Sequence, residues 1–378
     1  MKNILIIITK GEWGGAQVFV STLAKKLHAR GYAVTVACGE GDYLHGALTP
    51  LGIPVVRFQW LKRTKNPLAN LLFGWELKTF LETHRFDVVH FNSSNALFGA
   101  LEARAMRHRP KLVFTIHGLS IVDPNYQAPK PIKWFYFLLF KFLLSLVDEK
   151  VFVSNANFEY AKKIGLVKNG SVIHNGIDTD TLRFLPRDEA RAALSKTIQM
   201  DISNRYLIGS IGRLAYPKNY EFLINMFPKI LKEIPNATAI IISKGPKWEE
   251  YKRLIEKNNL TGNIFLPGEI PDARQLIKAF DLFVLPSEYE GISMTLIEAM
   301  FAEVPILASA VGGTPELLND PTQTYILNDA EDFIDKLKAT RSKNEPSYSE
   351  TQKAHRAQFD GAIMTERYLK IYEANRSS

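Results

Sequence analysis

The stretch FDLFVLPSEYEGISMTLIE, residues 280–298, decides the fold class. Its first part, Phe280 to Leu285, is a short apolar run of the kind found in strands buried on both faces of a parallel sheet. A polar turn and then a helical pattern follow, so strand, turn and helix succeed one another as in an α/β unit. That junction leaves unpaired backbone N–H groups at the carboxyl edge of a sheet, where α/β folds bind ligands and where a phosphate is well placed.

The same alternation extends in both directions. Downstream runs lie at Pro305 to Ala308 and Thr324 to Leu327, and upstream runs at Tyr206 to Ile211, Ala237 to Ser243 and Ile264 to Pro267. An earlier series occupies Ile4 to Thr9, Ala33 to Ala37, Phe86 to Phe91, Lys111 to Ile116, Lys150 to Val153 and Ser171 to His174. Two β/α sets predict two Rossmann-like, doubly wound domains facing each other across a cleft, and 378 residues is more than one core usually serves. Turn residues Asn175 and Gly176, ahead of a helix over Arg187 to Leu194, place the join near Asn175 to Pro186. The domains are therefore expected at 1–177 and 178–361. A polar tail over Asn344 to Gln358 precedes a last helical pattern, Ala362 to Tyr372, and a C-terminal helix over about 362–378 is expected to pack back on the first domain.

A chain that is 46% hydrophobic and 23% charged is composed like an ordinary globular protein. Its single cysteine, Cys38, can form neither an internal disulfide nor a thiolate zinc site, which fits a reducing, cytoplasmic setting. MKNILIII at the start reads as a buried first strand, because no small-residue cleavage site follows. The net charge of +8 is uneven: residues 1 to 180 hold 22 Lys and Arg against 13 Asp and Glu, and the remainder 25 against 26. A basic half suits nucleic acid, an anionic membrane or an acidic substrate. No aromatic RNA-binding motif or helix-turn-helix supports the first of these.

Four groups of residues could carry chemistry. Glu290 precedes the helix of the opening stretch and Glu298 lies inside it, so their Cα atoms are roughly 12 Å apart at about 1.5 Å per residue. An inverting glycosidase pair spans roughly 6.5 to 9.5 Å, and a retaining pair less. The spacing suits two grips on one long ligand, although an exposed helix residue and a first-turn carboxylate would look the same in sequence. GSIGRLAYPKNY, residues 209–220, follows a strand and carries Arg213 and Lys218, a planar fork and a mobile point charge fit for a diphosphate or simply solvated. KGEWGGAQ, residues 10–17, places Gly14 and Gly15 after the first strand, but not at the spacing of the dinucleotide fingerprint. His117 in TIHG ends the fourth strand of the reading, where an imidazole can serve a sugar hydroxyl or have a structural role.

Taken in order, GG at 14–15, HG at 117–118, NGID at 175–178, GRL with its following lysine, the E-x₇-E of Glu290 and Glu298, and GGTPE at 312–316 resemble the retaining family-4 glycosyltransferases of the GT-B fold. The resemblance spans almost the whole chain. It implies transfer of a sugar from a nucleoside-diphosphate sugar to a hydroxyl of a glycan or lipid-linked acceptor, in cell-surface polysaccharide or glycolipid synthesis. It also implies that Arg213 and Lys218 bind the donor diphosphate, Glu290 the donor-sugar hydroxyls and Glu298 the nucleotide ribose. Amides of Gly291, Ile292 and Ser293 would hold sugar and phosphate, and Leu266, Pro267, Gly268 and Glu269 would lie by the base. His117 would stand near the reacting sugar, and Gly14 and Gly15 beside donor phosphates and acceptor. Ser293 and Glu303 depart from the pattern, each standing where glycine is usual. Asp178-Thr179-Asp180 spells a metal-binding D-x-D, but it falls within the NGID join and is read as structural; no metal and no cofactor is expected. The rival readings are a GT-B sugar-nucleotide epimerase and a non-catalytic sugar-nucleotide-binding protein.

The segment Ile132 to Val147 is apolar but has 16 residues and contains Lys133 and Lys141, whereas a span needs roughly 20 apolar residues. It reads as a packed or interfacial helix. With the basic residues Lys62, Arg63, Lys65, Arg104, Arg107, Arg109, Lys111 and Lys130, it makes peripheral contact with an anionic membrane at the inner face of the cytoplasmic membrane an expectation.

Overall fold

The computed structural model describes residues 2–119, 122–123, 128–342 and 349–375, apart from the Ser342 side chain. Residues 344–348 of the expected polar tail and 376–378 of the expected last helix lie outside the described residues. The chain divides into two units, one running to Thr179 and resuming at Gln358, the other spanning Asp180–Ala357. The divisions differ from the expected 177/178 and 361/362 by a few residues for a local reason: Asp178 pairs with Lys26 at 2.7 Å, and the Thr179 hydroxyl bonds the Asp360 carboxylate. These contacts tie both crossing points to the first unit.

In the first unit the strands are β1 (Asn3–Ile8), β2 (Ala33–Cys38), β3 (Val55–Arg57), β4 (Val88–Phe91), β5 (Lys111–Ile116), β6 (Glu149–Phe152) and β7 (Ser171–Val172). They form one parallel sheet in the order β3-β2-β1-β4-β5-β6-β7. β3 escaped the sequence reading because it is three residues long and none of them is fully buried, so no apolar run marks it. His117 consequently follows the fifth strand and not the fourth. The helix Gly361–Glu373 packs into the core on one face of this sheet through Met364, Tyr368 and Tyr372. Polar atoms fasten it as well: His90 bonds Tyr372 Oη and Thr115 Oγ1, each at 2.7 Å, and Thr115 Oγ1 lies 2.8 Å from Tyr368 Oη. Burial holds the His90 imidazole down at about 3, so this network forms around a neutral ring.

In the second unit β8 (Tyr206–Ile211), β9 (Ala237–Ile242), β10 (Ile264–Gly268), β11 (Leu282–Leu285), β12 (Ile306–Ser309) and β13 (Thr324–Tyr325) pair in the order β10-β9-β8-β11-β12-β13, again all parallel. Phe280, read as strand, instead turns its ring under β8, where a Cβ on Gly209 would lie 2.1 Å from it. Only glycine fits there. Both units are thus doubly wound Rossmann-like sheets, as the alternation predicts. In each the strand order reverses beside the first strand, between β1 and β4 and between β8 and β11. The carboxyl ends of those strand pairs are the position at which open α/β sheets bind ligands.

Candidate functional site

At the reversal in the second unit, the loop after β8 carries Arg213 and Lys218 and the loop after β11 carries Glu290. The topology therefore brings together residues 72 positions apart: Lys218 Nζ lies 2.7 Å from Glu290 Oε1. Ser287 Oγ donates to the same oxygen at 2.7 Å, which leaves Oε2 for another donor. Glu290 is largely shielded, its side chain 13% exposed. It sits in the loop itself, four residues before the helix Met294–Phe301, and not in that helix's first turn.

The backbone of this loop is held from two sides. Glu288 N–H donates to Pro217 O at 2.8 Å, and Gly313 N–H donates to Gly291 O at 3.0 Å. Gly312, with φ at +51°, presses so closely on the loop that a Cβ there would fall 1.9 Å from the Glu290 carbonyl oxygen. The glycine pair of GGTPE is thereby explained: it lets a second loop back the Glu290 loop. Ser293 caps the helix through its side chain, which accepts from Leu296 N–H, so the serine that departs from the family pattern takes a helix-capping role. Glu303, the other departure, has φ +59°, a conformation that favours glycine, and Arg356 bonds its carboxylate at 2.8 Å.

Arg213 is exposed and has no ion pair among the described residues, so its fork is available to an anion. Glu298 is not the exposed helix residue that the sequence alone allowed. It is 3% exposed, and burial raises its carboxyl to about 7 against the lowering effect of Arg274. Leu266, Pro267 and Gly268 form the end of β10, where the register slips between Phe265 and Gly268, and Glu269 stands exposed just beyond. Lys244, after β9, reaches this edge: its Cε lies 3.3 Å from where a Gly268 Cβ would be.

At the reversal in the first unit, the loops after β1 and β4 are bonded to each other. Ser93 Oγ accepts from Thr9 N–H at 2.9 Å and meets Thr9 Oγ1 at 2.6 Å. His117, one strand further on, stacks edge-on against Phe19 with ring centroids 4.7 Å apart, and burial lowers it to about 4, so the imidazole is neutral at physiological pH. Asn92, which the sequence reading passed over, sets its orientation. Asn92 Nδ2 donates to His90 O at 3.2 Å, which turns Oδ1 towards His117 Nε2 at 3.3 Å. An acceptor at that distance requires the proton on Nε2, leaving Nδ1 as a hydrogen-bond acceptor. The polar run Asn92-Ser93-Ser94-Asn95 after an apolar strand was the visible signal, but its meaning needs the knowledge that β4 lies beside β1. Gly14 adopts an extended backbone at the start of the helix Gly15–Ala29, so neither it nor Gly15 is required by a left-handed turn. The close approach nearby belongs to Gly11, whose Cβ would lie 2.6 Å from Gly41 O.

Two family models match, one on each half of the chain: Glycosyltransferase Family 4 over residues 13–181 and Glycosyl transferases group 1 over residues 205–342. An uncharacterized protein in the cps region of Klebsiella pneumoniae is 25% identical over 98% of this chain and 100% of its own length. The UDP-Gal:alpha-D-GlcNAc-diphosphoundecaprenol alpha-1,3-galactosyltransferase of Escherichia coli is 24% identical over 81% of this chain and 79% of its own. Among solved structures, Anabaena Alr3699/HepE in complex with UDP and glucose superposes with a TM-score of 0.81 at 20% identity, covering 99% of this chain and 100% of that one. With both halves matched and both sheets wound alike, the chain belongs to the family-4 type glycosyltransferases of the GT-B fold.

Proposed function

We propose that this glycosyltransferase moves a sugar, with retention, from a nucleoside-diphosphate sugar to a hydroxyl of a glycan or lipid-linked acceptor in cell-surface polysaccharide or glycolipid synthesis. The observation that carries the reading is Glu290, fixed by Lys218 and Ser287 at the reversal of the second sheet with the unpaired Arg213 on the neighbouring loop. Arg213 and Lys218 meet the diphosphate, and the free oxygen of Glu290 accepts from donor-sugar hydroxyls. Glu298 serves the ribose, the amides of Gly291, Ile292 and Ser293 hold sugar and phosphate, and Leu266 to Glu269 border the base. His117 accepts from a hydroxyl of the reacting sugar through Nδ1, with Gly14 and Gly15 beside it on the first unit. The names of two relatives support the setting, one encoded in a cps region and the other a galactosyltransferase acting on a diphosphoundecaprenol acceptor. The UDP and glucose of the Anabaena structure support a nucleotide-sugar donor.

In the reaction the bond from the anomeric carbon to the diphosphate oxygen breaks, the acceptor oxygen bonds on the same face, and its proton passes to the departing phosphate. No side-chain nucleophile is needed. The protein's part is orientation and stabilisation of the leaving charge. Basic groups carry that stabilisation in place of a divalent cation; Asp178 of the D-x-D is engaged by Lys26, which supports the structural reading of that motif. A thermal-shift screen of nucleotide sugars identifies the donor, because a ligand that binds the native state raises its stability. Labelled donor is then supplied with and without acceptor in excess EDTA. Transfer that needs acceptor and survives chelation is expected. Acceptor-independent turnover to a new sugar nucleotide would favour the epimerase, and binding without turnover a sensor. Loss of transfer on chelation with recovery on adding Mg²⁺ would return Asp178 and Asp180 to consideration.

The acceptor reading extends to peripheral contact of the basic first unit with the inner face of the cytoplasmic membrane. No helix among the described residues is long and apolar enough to cross a membrane. The structure narrows the basic set: Lys111 is buried, donating to Ile371 O and Ala374 O, and Arg109 pairs with Asp148. Lys111 is buried and Arg109 is half-buried and paired, so neither belongs to the membrane-facing set.

A further inference from the structure

One face of the first sheet is covered by a layer of helices that includes Pro67–Thr83, Ala100–Ala105 and Lys130–Ser145, whose inner residues Phe73, Leu77, Ala100, Ala103, Leu143 and Leu144 share a single core cluster with the strands. Residues on the opposite side of these helices are exposed, and many of them are apolar. On Pro67–Thr83, Leu71 and Trp75 are 68% and 70% exposed, one helical turn apart. On Lys130–Ser145, Trp134, Phe135, Leu138 and Phe142 continue the pattern, with Trp134 66% exposed. Both helices lie in the layer on one face of the sheet, so their outer faces turn away from the same core. Large exposed apolar side chains grouped on helix faces mark interaction surfaces.

From this surface we propose that the first unit inserts the outer faces of Pro67–Thr83 and Lys130–Ser145 into the interfacial region of an anionic bilayer. The proposal deepens the membrane contact described above, and it rests on that reading, by naming the elements that enter the lipid. Charge selects the partner. Lys130–Ser145 contains three lysines and no carboxylate, and Lys62, Arg63 and Lys65 stand exposed ahead of the other helix. Lys62 and Lys141 lie over the rings of Trp60 and Phe137, at 6.0 Å and 5.6 Å from their centroids, with aromatic bodies and cationic tips together. Tryptophan beside lysine on an apolar helix face suits the headgroup layer, where the indole is half in hydrocarbon and the ammonium meets phosphate. On Pro67–Thr83 the carboxylates are Glu76, whose two oxygens accept from Gln59 N–H and Trp60 N–H, and Glu82 near its end. Two copies of the Lys130–Ser145 face pressed together would set lysine against lysine.

The test uses the full chain with phosphatidylglycerol–phosphatidylcholine vesicles whose acyl chains carry bromine, at low and at molar salt. Tryptophan quenching by the brominated chains is expected, together with a fraction of binding that persists in molar salt, where charges are screened beyond about 3 Å. Trp75→Ser combined with Trp134→Ser and Phe135→Ser should weaken that persistent fraction by about 10-fold or more, while Lys62→Gln with Lys65→Gln and Lys130→Gln weakens binding at low salt. These positions are exposed, and equal melting temperatures confirm folding of the variants. Absence of quenching, binding wholly released by salt, or equal binding by the apolar variant would overturn the proposal. So would lipid-free self-association that the same apolar substitutions abolish. Nucleotide-sugar thermal shift is measured in parallel; its failure alongside the expected vesicle behaviour would sink the donor reading and leave the lipid-facing surface standing.

Discussion

Lys218 Nζ and Glu290 Oε1 meet at 2.7 Å, joining the loop that follows the first strand of the second sheet to the loop that follows its fourth. Both side chains are largely shielded, at 20% and 13% exposure, so the pair is less screened than a surface ion pair. It aligns the carboxylate before any ligand arrives. Glu290→Gln should therefore cut transfer by about 10²-fold or more, the scale for loss of a preorganised polar group. Lys218→Ala combined with Glu290→Gln should cost much less than the product of the single effects, because the two act as a unit. Multiplicative kcat/KM losses in folded variants would show that the pair does not act jointly.

Arg213 differs from Lys218 in having no ion pair among the described residues. Its replacement by alanine should leave the melting temperature near that of the parent and still reduce transfer by about 10²-fold. Arg213→Lys should recover only part of the activity, since an ammonium lacks the planar fork for two phosphate oxygens. Near-normal turnover of purified Arg213→Ala would remove this residue from the diphosphate site.

His117 carries a pH prediction through Asn92. With an amide oxygen at Nε2 and an imidazole value lowered to about 4, the ring is neutral above that pH and adds no acid limb near neutrality. Asn92→Asp substitutes a carboxylate, which favours the imidazolium and should raise the ring's pKa by about 1 to 3 units. The proton would then occupy Nδ1 as pH falls, and kcat/KM should acquire a new acid limb. An unchanged pH profile, with unchanged imidazole ¹⁵N shifts, would count against the assigned tautomer.

Glu298 makes stability depend on pH. Its folded value of about 7 lies above the ordinary 4.5, so the native state holds a proton that the unfolded chain has released. Its contribution is fully present below the unfolded value and declines as pH rises through the folded one. The whole effect is ~3 kcal/mol, from a shift of about 2.5 units at 1.36 kcal/mol each. Glu298→Gln, which mimics the protonated form, should match the parent in acid and exceed it in stability above about pH 7. Urea unfolding across that window measures it, and parallel stability curves for the two proteins would contradict the buried carboxyl.

Sequence alone determined the class of each unit, because strands covered on both faces must be apolar throughout and the helices between them cannot be. Runs such as Lys111 to Ile116 and Tyr206 to Ile211 coincide with β5 and β8 end for end, and the stretch from Ser287 to Glu298 falls in the loop and helix after β11. β3 was illegible: a three-residue edge strand that is only half buried has no periodicity to display.

Tertiary structure alone decided which candidates meet. Lys218 and Glu290 are 72 residues apart, and they touch because β8 and β11 are neighbours, a pairing that no local pattern encodes. The same holds for Asn92 and His117, and for Lys111, whose charge counted towards a basic surface until the strand register placed it beneath the last helix. Apolar periodicity marks which side of an element seeks cover, but not whether it finds any. The segment that holds Trp134 reads as either a packed or an interfacial helix, and only the packed layer shows that the sheet is covered by the opposite face of that helix.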